Sequence, residues 1–170
     1  MISLATEADR TLFFDLLPLN LGSVKGFNTK FQLYTVPGQV YYNATRKLVL
    51  KGVDGVVFVA DSAIGKMNEN IESLQNLKDN LAEYGIDINN FPLVMQYNKR
   101  DLSNIYSVDE LNKALNPNNV PAIEAAVIKN MGVFEVLKAI SRETLARINK
   151  QPAAAPQPAA NQAQRMPSTP

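Results

Sequence analysis

The sequence predicts an α/β fold in which helices cover both faces of a largely parallel sheet. Two short runs, Val56 to Ala60 and Phe91 to Tyr97, have strand length, and the first is apolar throughout. Strands that are apolar on both faces are typical of parallel sheets. Helical periodicity fills Met67 to Tyr84 and roughly Val133 to Asn149. Strands that alternate with helices indicate a three-layer sandwich.

The amino-terminal part predicts a hairpin before this alternation begins. Thr11 to Leu17 is apolar apart from one charge, and Pro18 should stop it as a strand. Phe27 to Val36 alternates apolar and polar residues, as a strand with one buried face does. A glycine-containing turn joins the two, and Tyr41 to Lys51 should pass from a loop into a short helix.

The helix Met67 to Tyr84 follows the first buried strand and should end at Gly85. Its apolar residues recur at three- and four-residue steps, which predicts one buried stripe. That stripe comprises Ile71, Leu74, Leu77 and Leu81.

The carboxyl-terminal third predicts two more helices around a last strand. Ser107 and Glu110 form a capping-box pattern that opens a helix ending at Leu115. Val120 to Val127 should be the last strand. The final helix carries an apolar stripe of Val133, Val136, Leu137, Ile140 and Ile148.

The amino-acid composition excludes several kinds of catalytic and metal-binding site. The 170 residues include neither cysteine nor histidine, which excludes disulfides, thiolate metal sites and histidine-dependent catalysis within this chain. With 17 basic against 16 acidic residues, nothing indicates nucleic-acid binding.

We expect one domain over residues 1–150 and a disordered tail rich in Ala, Pro and Gln over 151–170. The sequence shows neither a membrane-spanning stretch nor a secretion signal, so we expect a cytoplasmic protein.

The most informative motif directly follows the second buried strand. Asn98, Lys99 and Asp101 form an Asn-Lys-x-Asp sequence at the carboxyl end of that strand, where open α/β sheets bind ligands. The two oxygens of an Asp101 carboxylate match the adjacent ring N–H and amine donors of guanine, a pair that adenine lacks. The motif therefore predicts a guanine site, and a solvated turn is the alternative.

Two weaker signals accompany this motif. Pro37-Gly38-Gln39 directly follows a predicted strand, so Gly38 could bring a backbone N–H to a terminal phosphate and Gln39 could orient water. Ala125-Ala126-Val127 lies at the end of the predicted last strand, where a backbone N–H, that of Ala126 in particular, could meet the guanine carbonyl.

Taken together, these segments resemble the Ras-like small GTPases, and specifically the bacterial gliding-motility and cell-polarity branch, the MglA type. The resemblance covers roughly residues 1–148. The segments that carry it are Met1 to Glu7, Asp9 to Asp15, Tyr34 to Val40, Gly52 to Ser62 and Gln96 to Leu102. It implies a GTP-hydrolysing switch that binds Mg²⁺ with GTP or GDP and works with a GTPase-activating protein and with polarity or motility effectors.

The resemblance also assigns roles by position. Arg10 would neutralise charge on the transferring phosphoryl group, with a solvated surface charge as the alternative. Thr11 would be the hydroxyl near Mg²⁺ and the terminal phosphate, unless it merely begins a strand. Gly38 would contact that phosphate as a nucleotide-binding residue, and Gln39 would position water as the catalytic partner of Arg10.

One expected motif is absent. None of the eight glycines begins or closes a Gly-x-x-x-x-Gly-Lys-[Ser/Thr] sequence, the loop that cradles phosphates. We therefore expect an incomplete Ras-like P-loop GTPase sandwich that lacks the first strand, the P-loop and the first helix, with a gap between the strands Phe31–Val36 and Val56–Ala60. Three explanations stay open: a misplaced start, a fragment, or a nucleotide-binding-deficient pseudo-GTPase that serves as an interaction module. A flavodoxin-like module is a more distant alternative.

Overall fold

The computed structural model describes residues 16–24, 27–36 and 43–150. Strands and helices alternate along these ranges, and the α/β fold is confirmed. The elements in chain order are β1 (Leu16–Val24), β2 (Phe27–Tyr34), α1 (Asn43–Leu50), β3 (Val56–Asp61), α2 (Met67–Glu83), β4 (Leu93–Asn98), α3 (Val108–Leu115), β5 (Ala122–Glu124) and α4 (Val133–Lys150).

The predicted hairpin is confirmed, with different bounds. Strands β1 and β2 pair antiparallel from Leu16 opposite Tyr34 to Val24 opposite Phe27. The expectation that Pro18 stops the first strand is wrong, because β1 runs through it and Pro18 lies opposite Gln32. Within the described ranges β1 pairs with β2 alone, and an edge strand tolerates a residue without an N–H.

The second sheet is parallel, with β4 between β3 and β5. Leu93 to Tyr97 are all buried, as the predicted strand requires. The main core lies on the α2 and α3 face of this sheet, and α4 covers part of the other face through Val136 and Ile140.

Helix α2 begins and ends close to the predicted bounds, and Gly85 follows with a φ of 70°. Leu74, Leu77 and Leu81 are buried as predicted. Ile71 is 44% exposed, so its predicted place in the buried stripe is wrong, and the first turn buries Asn70 instead. Asn70 can lie inside because both ends of its amide are hydrogen-bonded.

The capping box of α3 is confirmed. The Glu110 N–H donates to Ser107 Oγ at 3.3 Å, and the Ser107 N–H donates to Glu110 Oε2 at 2.8 Å. Both bonds satisfy N–H groups that the first helical turn leaves without a partner. This helix packs Leu111 and Leu115 into the core beneath β4.

The last strand and the last helix depart from prediction. Strand β5 spans Ala122–Glu124, and a single 3-10 turn at Val127–Lys129 replaces the predicted end of the strand. In α4, Val136 and Ile140 are buried, but Val133 and Ile148 are 40% and 49% exposed. Two polar residues, Ser141 and Thr144, are buried on this helix instead.

A gap separates the two sheets within the described ranges, as expected. Strands β2 and β3 are not paired there, and a cleft of about 660 Å³ is lined by β2, α1, the loop before β3, and α4. Val59 lies in the middle of β3 and is nevertheless 52% exposed. The sandwich is therefore incomplete on the side of β3 that faces away from β4.

Candidate functional site

The carboxyl ends of the three parallel strands meet at one edge of the second sheet. Asp61 ends β3 and lies opposite Asn98, which ends β4. Glu124 ends β5 and lies opposite Tyr97. The Asn-Lys-x-Asp motif thus occupies the sheet edge at which open α/β folds bind ligands, as predicted.

Asn98 connects this motif to both neighbouring strands. Its carbonyl accepts a hydrogen bond from the Ser62 N–H at 3.0 Å. Its side-chain Oδ1 accepts from the Val127 N–H at 3.2 Å. The half-buried amide therefore ties the loop after β4 to the loop after β5.

Lys99 adopts a left-handed backbone conformation with a φ of 66°. A non-glycine residue rarely takes this conformation, which is often found where a side chain has a special role. Its Nζ lies 2.9 Å from Asp61 Oδ2, and its side chain is 54% exposed. The stem of Lys99 is therefore accessible to a flat ligand while its charge is held by a carboxylate.

Asp101 is exposed at the rim of this edge. Its carboxylate makes no hydrogen bond or ion pair with any residue in the described ranges. The backbone around it is well anchored, because the Arg100 N–H donates to Ala125 O at 3.0 Å and the Leu102 N–H donates to Lys99 O at 3.2 Å. Asp101 therefore presents two free acceptor oxygens on an ordered turn.

Arg100, the variable residue of the motif, is a structural anchor that sequence reasoning missed. Its Nε donates to Glu124 Oε2 at 2.8 Å, and its guanidinium also donates to Tyr106 O at 2.7 Å. The side chain is 13% exposed. Charge complementarity between Arg100 and Glu124 was the available signal, but sequence alone does not show that their strands are neighbours.

Asp61 and Asn70 are the other residues that sequence reasoning missed. A signal existed for Asp61, since it is the polar residue that ends an apolar strand, as Asn98 does for β4. No sequence signal marked Asn70, a polar residue in the first turn of an amphipathic helix.

Ala126, the predicted backbone contact to the base, lies just after β5. Its N–H donates to Met131 O at 3.1 Å, so a base carbonyl would have to displace this backbone pairing. The pairing arises because the chain reverses through the 3-10 turn Val127–Lys129 and the left-handed Asn130, where φ is 55°, and so places Met131 opposite Ala126. Ala126 itself is 1% exposed.

The predicted phosphate and catalytic residues lie outside the described residues. They are Arg10, Thr11, Gly38 and Gln39. Thr11 was also the residue assigned to Mg²⁺. Within the described ranges, no group of three or more acidic side chains could hold a metal ion. Of the predicted site residues, the described ranges therefore contain only those assigned to the base: Asn98, Lys99, Asp101 and Ala126. Among the helices of the same ranges, none combines the length and the apolar character needed to span a membrane.

Comparisons with known proteins identify the family of this chain. A family model described as the ADP-ribosylation factor family matches residues 15–149. The chain is 59% identical over 150 residues to the mutual gliding-motility protein MglA of Myxococcus xanthus (strain DK1622), covering 88% of this chain and 77% of that protein. It is 26% identical over 126 residues to an uncharacterized protein of Methanocaldococcus jannaschii, MJ1339, covering 74% of each. The chain belongs to the ADP-ribosylation factor family, as a small GTPase of the MglA type.

Proposed function

We propose that the chain is a guanine-nucleotide switch of the gliding-motility type and that the loop after β4 binds the base. The observation that carries the proposal is the state of Asp101. Its carboxylate is exposed and unpaired within the described ranges, on a turn that two backbone hydrogen bonds anchor. An anchored carboxylate with both oxygens free can accept two parallel hydrogen bonds from one ligand edge.

Guanine is the base that fits this carboxylate. It offers a ring N–H and an exocyclic amine side by side, whereas adenine has an unprotonated ring nitrogen at the first of these positions. In the same pose an adenine base would leave both Asp101 oxygens without an N–H donor, because it has a C–H where guanine carries the amine, and it would bring a ring lone pair against one of them. Discrimination of this kind is strong, because it leaves polar groups unpaired in the wrong complex.

The neighbouring residues supply the other contacts in this proposal. The stem of Lys99 covers one face of the ring. Asn98 holds the Val127 backbone at the far side of the loop. The Ala126 N–H is bonded to a backbone carbonyl, whereas the Val127 N–H is bonded to the Asn98 side chain. Because a side chain can rotate away, the Val127 N–H becomes the donor that meets the base carbonyl, after it exchanges Asn98 Oδ1 for the ligand.

The hydrolytic part of the proposal rests on the resemblance. Arg10 would offset charge on the transferring phosphoryl group and Gln39 would orient water, while Gly38 and Thr11 would contact the terminal phosphate. Mg²⁺, held in part by Thr11, would neutralise phosphate charge when GTP is bound. The GTPase-activating protein, the polarity or motility effectors and the cytoplasmic location belong to the same proposal.

A second candidate is a pseudo-GTPase that acts as an interaction module. It is favoured by the absence of a Gly-x-x-x-x-Gly-Lys-[Ser/Thr] loop from the 170 residues and by the half-exposed Val59, on a strand with one edge that no strand of the described ranges pairs. Without that loop the phosphates lose their main cradle. We therefore expect no saturable binding of a guanine nucleotide at micromolar concentration, and weak, base-selective binding above it.

A titration with three diphosphates tests the proposal. GDP, ADP and xanthosine diphosphate are each added to millimolar concentration while the amides of residues 98–101 and 127 are followed by NMR. We expect the wild type to prefer GDP over ADP. Asp101→Asn should reduce the preference for GDP over xanthosine diphosphate by about tenfold or more, since a hydrogen bond to a charged group contributes about 1.5–3 kcal/mol.

The control is Asp79→Asn, which removes an exposed carboxylate on α2 whose partner is Gln75 on the same helix. It should leave all three affinities unchanged. Equal affinities of the wild type for GDP and ADP would reject the guanine site and leave the interaction module.

A further inference from the structure

Asn70 is a buried amide in the first turn of α2, with 6% of its surface exposed. Its side chain clasps the backbone of a single residue. The Asp61 N–H donates to Asn70 Oδ1 at 3.0 Å, and Asn70 Nδ2 donates to Asp61 O at 2.8 Å. Two opposed hydrogen bonds to one residue fix both its position and its rotation about the strand axis.

The clasp lies on the edge of β3 that faces away from β4, which no strand of the described ranges pairs. The Val56 N–H donates to Pro92 O and the Ser62 N–H donates to Asn98 O, so the even-numbered residues of β3 face β4. The backbone groups of Asp61 therefore face the opposite edge, where an adjacent strand would ordinarily pair with them. The Asn70 amide takes the place of that strand at the last residue of β3.

The carboxylate of Asp61 forms an ion pair with Lys99, the lysine of the Asn-Lys-x-Asp motif. Its Oδ1 accepts from the Ala63 N–H at 3.0 Å, which orients the carboxylate, and its Oδ2 holds Lys99 Nζ at 2.9 Å. A lysine side chain is flexible and loses much rotamer freedom when it is held in one conformation. Because the pair is partly exposed, it adds little to folding stability, and its effect is on where the lysine lies.

We propose that Asn70 is a positioning residue of the nucleotide site, which acts through Asp61 on Lys99. This inference rests on the proposed guanine site and extends it from the loop after β4 to helix α2. When Asn70 holds Asp61, the carboxylate keeps the lysine stem extended along the sheet edge, ready to cover the base. When the clasp is lost, the last residue of β3 is free on its open side and the lysine loses its fixed partner.

A double-mutant cycle tests this path. The full chain is titrated with GDP by NMR as the wild type, Asn70→Ala, Lys99→Met and the double variant. We expect Asn70→Ala to weaken GDP binding about threefold to tenfold, which is the range of one ordering contact. On the Lys99→Met background the same substitution should change the affinity by less than about twofold, because its target is gone. Equal losses on both backgrounds, or no loss on either, would overturn the proposal.

Asn80→Ala is the matched control. Asn80 is a buried asparagine on the same helix, 1% exposed, and its amide donates to Asn43 and Asn76 rather than to β3. We expect it to lower stability without changing GDP affinity. A loss of affinity as large as that of Asn70→Ala would show that any weakening of α2 has the same effect, and would count against positioning.

A second measurement needs no nucleotide. The ion pair is followed through the NMR signal of the Lys99 ammonium nitrogen in the free chain. We expect the signature of the pair in the wild type and in Asn80→Ala, and its loss in Asn70→Ala. A pair that persists in Asn70→Ala refutes the inference even if the wild type proves to have no guanine preference, which would refute the proposed function alone.

If Asn70→Ala does not fold, Asp61→Asn tests the same path. This variant keeps the backbone that Asn70 clasps and removes the charge that holds Lys99. It should reproduce the threefold to tenfold loss in GDP affinity. An unchanged affinity would remove Asp61 and Asn70 from the site.

Discussion

Asn98 Oδ1 accepts a hydrogen bond from the Val127 N–H at 3.2 Å, and this bond joins the loops that follow two neighbouring parallel strands. The two residues are separated by helix α3 and strand β5 in the sequence. Because this hydrogen bond connects the two loops, a substitution at Asn98 should change the environment of the Val127 N–H.

Asn98→Ala should separate these loops. The Val127 N–H would lose its acceptor, and we expect the free energy of unfolding to fall by about 1 kcal/mol, the usual value for a partly buried hydrogen bond. Asn98→Asp keeps an acceptor oxygen and should lose less. Urea denaturation measures the stability, and the NMR shift of the Val127 amide reports the bond. An amide shift that is the same in Asn98→Ala as in the wild type would contradict the prediction.

Gly132→Ala should disrupt the turn that pairs Ala126 with Met131. A Cβ at Gly132 would lie 2.3 Å from Glu124 O and 2.9 Å from Ala125 Cα. The alanine would also have to adopt the φ of 78° that Gly132 has. The conformational strain alone is about 1–3 kcal/mol, and the backbone clash adds to it. Gly65→Ala is the matched control, since Gly65 has a φ of 91° with nothing within 4 Å of an added Cβ. Equal losses of stability in the two variants would contradict the prediction, since they would show that the backbone contacts at Gly132 add nothing to the cost of the φ angle.

Tyr97 should lower the free energy of unfolding at alkaline pH. This residue of β4 is fully buried, and its hydroxyl donates to Asn112 Oδ1 at 2.8 Å. Burial raises the pKa of Tyr97 from 10.0 to about 12, because the phenolate would lose its hydration. The folded chain therefore holds the proton more tightly than the unfolded chain. This contribution is complete below pH 10 and is lost as the pH rises to about 12.

We expect the free energy of unfolding to fall by up to about 1.4 kcal/mol per pH unit in that window through Tyr97. Tyr97→Phe should remove this component of the slope. Tyr84→Phe removes an exposed hydroxyl bonded to Lys47 O and should leave the slope in place. Urea midpoints measured on both sides of pH 10 compare the three proteins. A slope that Tyr97→Phe leaves unchanged would assign the alkaline transition to other groups.

The open edge of β3 should be visible in amide exchange. Even-numbered residues of β3 bond to β4, so the N–H groups of Phe58 and Ala60 should be protected from exchange with solvent. Those of Val57 and Val59 point to the edge that no described strand pairs, and we expect them to exchange faster by at least about tenfold. Equal protection of the four amides would indicate that a segment beyond the described ranges, or a second molecule, pairs with this edge.

Several elements followed from local sequence patterns alone. The capping box at Ser107 is one, because both of its hydrogen bonds join residues three positions apart. The buried strand from Leu93 is another, together with the Asn-Lys-x-Asp motif after it. In an α/β chain, a short apolar run followed by polar residues predicts a buried strand that ends in a loop. The guanine hypothesis needed only the order of these residues.

Other features depended on which segments become neighbours. Ile71 and Asn70 are adjacent in the sequence, and hydrophobicity favours burial of Ile71. Asn70 is buried instead, because the backbone of Asp61 on a neighbouring strand offers its amide two partners. In the same way Pro18 lies within a strand because, among the described residues, β1 has a partner on one side only.

The sequence by itself determined the order of strands and helices, the Asn-Lys-x-Asp motif and the absence of a phosphate-loop motif from the 170 residues, since each depends on residues that are close together in the chain. The tertiary structure decided the surroundings of that motif. The contacts of Asn98 with Val127, of Lys99 with Asp61 and of Arg100 with Glu124 each join segments at least 24 positions apart. Hydrogen bonds and ion pairs of this kind depend on strand order and register, which set the distances between side chains that no local pattern encodes.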